Sequence, residues 1–255
     1  MEGKKIISFL ENKYPLSLQE KWDFSGKQLG KLKKNINKIL LCLDYDSTIN
    51  EQTLNFKPDL IITHHPFFFG KKDKVYKNFP LKKQTSRFLY QTINCAVYSF
   101  HTCFDNSNLG MNYLLSHELN LKNIYQSSLC NSLFIGELDH PISLLESCKY
   151  IKNKLDISYG LLVQGNDKLI KKIGIIGGGG ASLYPFAFLE NVDLFVSGDM
   201  SHHIRREIIE LKQNYLDIPH EVEKIFMKGI KNDLLSLNPT LNILCVDQEK
   251  EALVI

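Results

Sequence analysis

The sequence predicts an α/β fold of two α/β repeats that share one chain, each built on a mixed, mostly parallel sheet. Two observations lead there. Short apolar runs such as KILLCLDY (38–45) and DLIITHH (59–65) have the length and density of buried strands. They alternate along the chain with longer segments whose apolar residues recur at helical spacing, the pattern of strand–helix–strand units.

Taken in order, residues 4–13 carry Ile6, Ile7, Phe9 and Leu10 at helical spacing and stop before Pro15, which predicts a helix. KILLCLDY and DLIITHH follow as strands. SRFLYQTIN (86–94) has helical periodicity, and CAVYSFH (95–101) is a third strand ending in a histidine. NLGMNYLLSHELNL (108–121) is a helix with its stripe at Met111, Leu114, Leu115 and Leu119. The second half repeats the theme. ISLLESCKYIKNKL (142–155) is an amphipathic helix, SYGLLVQG (158–165) a strand, and KKIGIIGGGG (171–180) a strand running into glycines. LYPFAFLE (183–190) is a short helix, NVDLFVSGD (191–199) a strand, MSHHIRREIIELKQN (200–214) a helix, and TLNILCV (240–246) the closing strand. Residues 1–125 form the first repeat and residues 126–255 the second, with no flexible linker between them.

Composition narrows the class. With 44% hydrophobic residues, 15 Phe and 11 Tyr in 255 residues, the chain is globular and can bury a substantial core. A formal charge of +3 argues against a nucleic-acid partner. The six cysteines form no CxxC pair, which predicts reduced thiols in a cytoplasmic protein. No signal-peptide pattern opens the chain, and no apolar stretch approaches ~20 residues, so no membrane partner is expected.

The unusual polar residues fall at strand ends, where parallel α/β sheets bind ligands. His64 and His65 end one strand, His101 with Asp105 another, and Asp199 with His202 and His203 a third. Successive strand side chains point to opposite faces, so adjacent histidines before Pro66 can splay toward two neighbouring sites. Further on, His220 and Glu223 lie about one helical turn apart. Two-metal hydrolases hold ions roughly 3.5–4 Å apart, and these mixed N and O donors suit Zn²⁺, Fe²⁺, Mn²⁺, Co²⁺ or Ni²⁺ better than Ca²⁺. Plainer readings stand beside this one. His202–His203 also fits a polar helix start, and the 101–105 segment a loop with an Asp turn. GGGG (177–180) lacks the Lys-Ser/Thr of a phosphate loop and reads as backbone passing close to the site. The lysine-rich stretch 71–83 is a solvated face or a lid that guides a small anionic substrate. Phe67–Phe69 reads as core or as subunit interface.

Six blocks in order resemble the Nif-three-like family, many of whose members are called GTP cyclohydrolase 1 type 2 homologs. LQEKWDFSGKQLG (18–30) is similar to the family's opening, and DLIITHHPFFF (59–69) to its double-histidine motif. AVYSFHTCFDNSNLGMN (96–112) resembles its His-Thr-x-x-Asp segment. IGIIGGGGAS (173–182), DLFVSGDMSHH (193–203) and DIPHEVEK (217–224) resemble its later blocks. The resemblance implies a dinuclear metal site of two divalent transition-metal ions per chain, held by His64, His65, Asp105, His220 and Glu223. His101 would stand beside it as a catalytic group. It also implies intertwined repeats, the C-terminal segment joining the first, and a ring-shaped homohexamer with sites facing an inner cavity. The chain is the short form, without an inserted central domain. Pro219 replaces a glycine that usually precedes the last-block histidine, and Glu221 is the alternative to Glu223 as last ligand. The function expected is a metal-dependent hydrolase of a nucleotide-like or heterocyclic substrate, with proton transfer by His101. The alternative is a non-catalytic metal-binding adaptor or metal-handling protein.

Overall fold

The computed structural model describes residues 1–253. In chain order its strands are β1 (Gly26–Leu29), β2 (Lys38–Cys42), β3 (Leu60–Thr63), β4 (Ala96–Ser99), β5 (Lys122–Gln126) and β6 (Phe134–Ile142), then β7 (Leu161–Val163), β8 (Ile170–Ile175), β9 (Leu194–Ser197), β10 (Tyr215–Asp217) and β11 (Asn242–Cys245). They form two sheets, ordered β1-β4-β3-β2-β11 and β5-β6-β8-β9-β10-β7. The chain divides into two compact units. One is Met1–Phe104 with Phe226–Glu249, and the other is Asp105–Ile225 with the segment from Lys250.

In the first unit β4, β3, β2 and β11 are parallel neighbours, and β1 pairs antiparallel at the β4 edge. All four residues of β3 are buried, which explains why LIIT shows no polar alternation: a central parallel strand is covered on both faces. Leu40, Ile61 and Val97 pack with Phe67, Phe68 and Leu89 in one core cluster. Elsewhere in this unit, Phe104 packs tilted against Tyr14 and edge-on to Phe226. Phe226 belongs to helix Ile225–Leu237, which the N-terminal helix Gly3–Lys13 and the residue after it help to anchor. Tyr14 donates to Asp233 Oδ2 at 2.6 Å, and Lys13 pairs with the same carboxylate. The predicted helix at 86–94 is present as helix Pro80–Phe88 continued by a wider π turn, Leu89–Ile93. A shorter helix, Lys72–Asn78, precedes it in the lysine-rich stretch.

In the second unit β8, β9 and β10 are parallel, while β7, β6 and β5 add antiparallel edges. Two of five pairings here are parallel against three of four in the first sheet, so parallel pairing is concentrated at the centres. Ile135, Val163, Ile176, Phe195, Ile208 and Tyr215 share a core cluster. Helix Leu144–Leu155 starts where Ser143 caps Glu146 N and the Glu146 carboxylate returns to Ser143 N, a reciprocal capping box. The six cysteines are free thiols. No helix among the described residues is long and apolar enough to cross a membrane.

Candidate metal centre

At the carboxyl end of β3 the ladder continues through the backbone while the side chains turn toward a common point. His64 N and His65 N donate to the carbonyls of Cys42 and Leu43 at 3.3 and 3.0 Å. Thr63 Oγ1 and Ser99 Oγ, 2.7 Å apart, both reach the carbonyl of His65. His101 follows β4. Its main-chain N–H donates to Ser25 Oγ at 3.0 Å. The three imidazole centroids lie 4.9, 5.1 and 5.3 Å from one another. One nitrogen from each falls within a span of 4.8 Å, so the three can hold a metal ion. The Phe226 ring packs on His64 at 5.1 Å and helps bury it completely. Truncating a buried phenylalanine costs ~3–5 kcal/mol, so this ring holds the cluster as well as the core.

Each of these histidines is held at Nδ1. His64 Nδ1 donates to the carbonyl of Phe100 at 2.9 Å. His65 Nδ1 bonds Asp44 Oδ2 at 2.7 Å, and His101 Nδ1 bonds Asp23 Oδ1 at 2.8 Å. A carbonyl or carboxylate on Nδ1 fixes the tautomer and orients Nε2, the arrangement that metal-binding histidines almost always have. Burial works to raise the Asp44 carboxyl, but the His65 hydrogen bond and charge outweigh it and hold it below the usual range. Asp23 shows the same balance more strongly. Against its burial stand His101, Thr102 and Ser25, and it is held well below the ordinary value. Its oxygens also accept from Phe24 N, Ser25 Oγ, Thr102 N and Thr102 Oγ1, so it ties the turn at 23–25 to the segment that carries the His101 imidazole.

The second unit builds a smaller group. After β10, Ile218 and Pro219 lead into a 3₁₀ turn, His220–Lys224. Side chains at i and i+3 eclipse in a 3₁₀ turn. His220 Nε2 and Glu223 Oε2 accordingly lie 3.0 Å apart. His220 Nδ1 bonds Asp199 Oδ2 at 2.8 Å. Burial disfavours the charged imidazole, yet Glu223 and Asp199 together overcome it and push its pKa up to about 9. Asp199 sits just past β9 with φ +60, a left-handed conformation uncommon outside glycine. The glycine run acquires its reason here. Gly178 has φ +61, and a Cβ at that position would lie 1.9 Å from Glu223 Oε1.

Asp105 opens the second unit, directly after Phe104. Asn112 Nδ2 donates to its carbonyl at 3.3 Å, and Gly177 N donates to Asn112 Oδ1 at 2.7 Å. Glu223 is buried beside His220, whereas Glu221 is half-buried. His202 and His203 are exposed at the start of helix His202–Glu210, where Ser201 caps Ile204 N. The acid that sequence proximity joined to them, Asp199, binds His220 instead. Asp23 and Asp44 were missed. Their signals are the acid after Trp22 and the acid closing the apolar run of β2, each readable only once its histidine is placed.

The fold and these donors define an α/β protein whose strand ends present histidine–carboxylate groups capable of holding a metal ion. Residues 1–251 match Duf34/NIF3 (NGG1p interacting factor 3), and the chain belongs to that family. It is 31% identical over 263 residues to a GTP cyclohydrolase 1 type 2 homolog of Ureaplasma parvum, covering 97% of each chain. A protein of the same name from Clostridium perfringens is 30% identical over 226 residues, covering 86% of each. In fold, the structure is similar to a Bacillus cereus protein related to NIF3, with a TM-score of 0.89, 18% identity and coverage of 100% of this chain and 99% of that one.

Proposed function

We propose that the protein is a metal-dependent hydrolase of a nucleotide-like or heterocyclic substrate, working with two divalent transition-metal ions per chain. The proposed ligands are His64, His65, Asp105, His220 and Glu223. The observation that carries this reading is the Nδ1 pattern: His64, His65, His101 and His220 each have that nitrogen engaged by a carbonyl or carboxylate. The donors are mixed N and O, which fits Zn, Fe, Mn, Co or Ni. When bound, such ions supply Lewis acidity and bring the pKa of water down toward ~7.

The chain's own residues account for the rest. The Phe100 carbonyl keeps His64 in the Nδ1–H form, so Nε2 carries its lone pair. Asp44 makes His65 more electron-rich in the same way. His101 is the proton carrier: Asp23 anchors Nδ1 and stabilises the imidazolium formed when Nε2 accepts a proton, which Nε2 then returns to the leaving group. Candidate chemistry follows from the relatives' name, in which GTP is the substrate. We extend the proposal to assembly as a closed homohexamer, which would have the closed point-group symmetry of most homo-oligomers.

Metal analysis and turnover on one preparation test the reading. Protein loaded with Zn²⁺ or Mn²⁺ should carry about two ions per chain and convert GTP or a related heterocycle. His101→Ala should keep the metal and lose turnover by about 10²–10⁴-fold. A fully loaded protein that leaves every such substrate unchanged defeats the hydrolase reading and leaves metal binding as the function. Light scattering that returns the 29.4 kDa of one chain rules out the hexamer.

A further inference from the structure

The run Phe67–Phe69 divides. Phe67 and Phe68 are 2% and 6% exposed and belong to the core, whereas Phe69 is 51% exposed. Its ring lies 5.5 Å from His101 at 88° and 6.3 Å from His65. Trp22 is 59% exposed and also meets His101, at 5.6 Å and 72°. Two large aromatic rings, each about half in solvent, thus stand nearly perpendicular to the same imidazole. A hydrophobic core explains neither of them, since each leaves half its surface in water beside a histidine that Asp23 holds in place.

The charge around them selects an occupant. An aromatic pair can receive a cation or a planar ring. The segment that follows Phe69 carries Lys71, Lys72, Lys74, Lys77, Lys82 and Lys83 against the single acid Asp73. Lys72 lies over Phe68, Tyr76 and Tyr90, and Lys82 over Phe67. Lys71, Lys74, Lys77 and Lys83 are exposed. Asp23 and Asp44, the acids at the imidazoles, are each engaged by a histidine, so the lysine excess of this segment favours a ligand with negative charge over a cationic one. We propose that Trp22 and Phe69 are substrate-binding residues that stack the planar heteroaromatic ring of an anionic, nucleotide-like ligand beside His101, with its anionic tail toward the lysine helices Lys72–Asn78 and Pro80–Phe88. The proposal rests on the hydrolase reading for its substrate class, and it names the residues that select the ring.

Trp22 is the only tryptophan in the chain and therefore reports on its own site. Metal-loaded protein is titrated with GTP, guanosine and inorganic tripolyphosphate while tryptophan emission is followed. GTP should quench it, guanosine should quench it at higher concentration, and tripolyphosphate should not quench it. Phe69→Leu should raise the GTP Kd about tenfold at unchanged metal content and melting temperature. By calorimetry, Trp22→Leu should weaken GTP comparably, and Trp22→Phe should restore most of the loss. The proposal is overturned if GTP leaves the emission unchanged, if Phe69→Leu binds GTP as the parent does, or if emission shifts to the blue with protein concentration, which would place a second copy of the chain over these rings. Quenching without turnover sinks the hydrolase reading and keeps the stacking site. Turnover without quenching does the reverse.

Discussion

The two units supply metal-capable donors in different ways. In the first, three imidazoles stand at the ends of adjacent parallel strands, and the sheet's own hydrogen bonds set their separation. In the second, one imidazole has carboxylates at both nitrogens, and its position depends on a 3₁₀ turn, a left-handed aspartate and a glycine without Cβ. His64 is fully buried and His101 nearly so, whereas the His220 side chain is 35% exposed and that of its partner Asp199 58%. The first group is thus nitrogen-rich and locked by the core, while the second is oxygen-rich and locked by local backbone geometry. The first should tolerate loop changes that spare Asp23 and Asp44, and fail with its core. The second should fail when one turn is altered.

The largest effect should come from His64→Ala combined with His65→Ala, which removes both proposed nitrogen ligands of the first group. Elemental analysis should find that bound metal is lost. Full retention would mean that the first unit holds no ligand and that the contrast is empty. Asp105→Asn is next. We expect lower occupancy of both ions, because an amide offers one neutral oxygen where a bridging carboxylate offers two charged ones, while His220→Ala should leave about half the metal. If Asp105→Asn loses one ion and His220→Ala loses both, the roles are reversed.

Two further substitutions should have smaller effects. Asp44→Asn should weaken metal affinity by about 10–100-fold, because the amide still contacts His65 but no longer makes it more basic. A competition assay with a coloured chelator would read this. No change there would show that the buttress only orients the ring. Gly178→Ala should cost on the order of 1–3 kcal/mol from its left-handed backbone and push Glu223 from its place. Thermal melting gives the first quantity. Metal analysis should show occupancy lost at the second group before the first, and equal loss at both would break the distinction between sheet-locked and turn-locked donors.

Much of this was legible from the residues. LIIT and AVYS read as buried strands because parallel central strands are apolar at every position, and Pro66 marks where β3 must end. Histidines placed at such ends attract notice without any tertiary knowledge. The helices at 3–13, 144–155 and 202–210 were equally plain, since amphipathic spacing and capping are local. β5 and β6 were not. KNIYQ is largely exposed and FIGELDHPI turns polar toward its end, because both sit in the antiparallel edge region, where burial is partial and the apolar signal is diluted. Helix Ile225–Leu237 was likewise not assigned, although Asp233 ties it to Tyr14 across 219 positions.

The sequence by itself determined which residue types stand at the strand ends, because strand length, helical period and proline stops act over a few residues. Tertiary structure alone decided which acid serves which histidine. Asp23 reaches His101 across 78 positions, Asp44 reaches His65 across 21, and Asp199 reaches His220 across 21 while bypassing the nearer His202 and His203. Such pairings are set by strand order and register, and by the direction in which a helix carries its first turn into solvent. None of these leaves a mark on the local pattern. Two residues next to each other on a strand end can be read as a pair, but the carboxylate that holds each one is chosen by the fold.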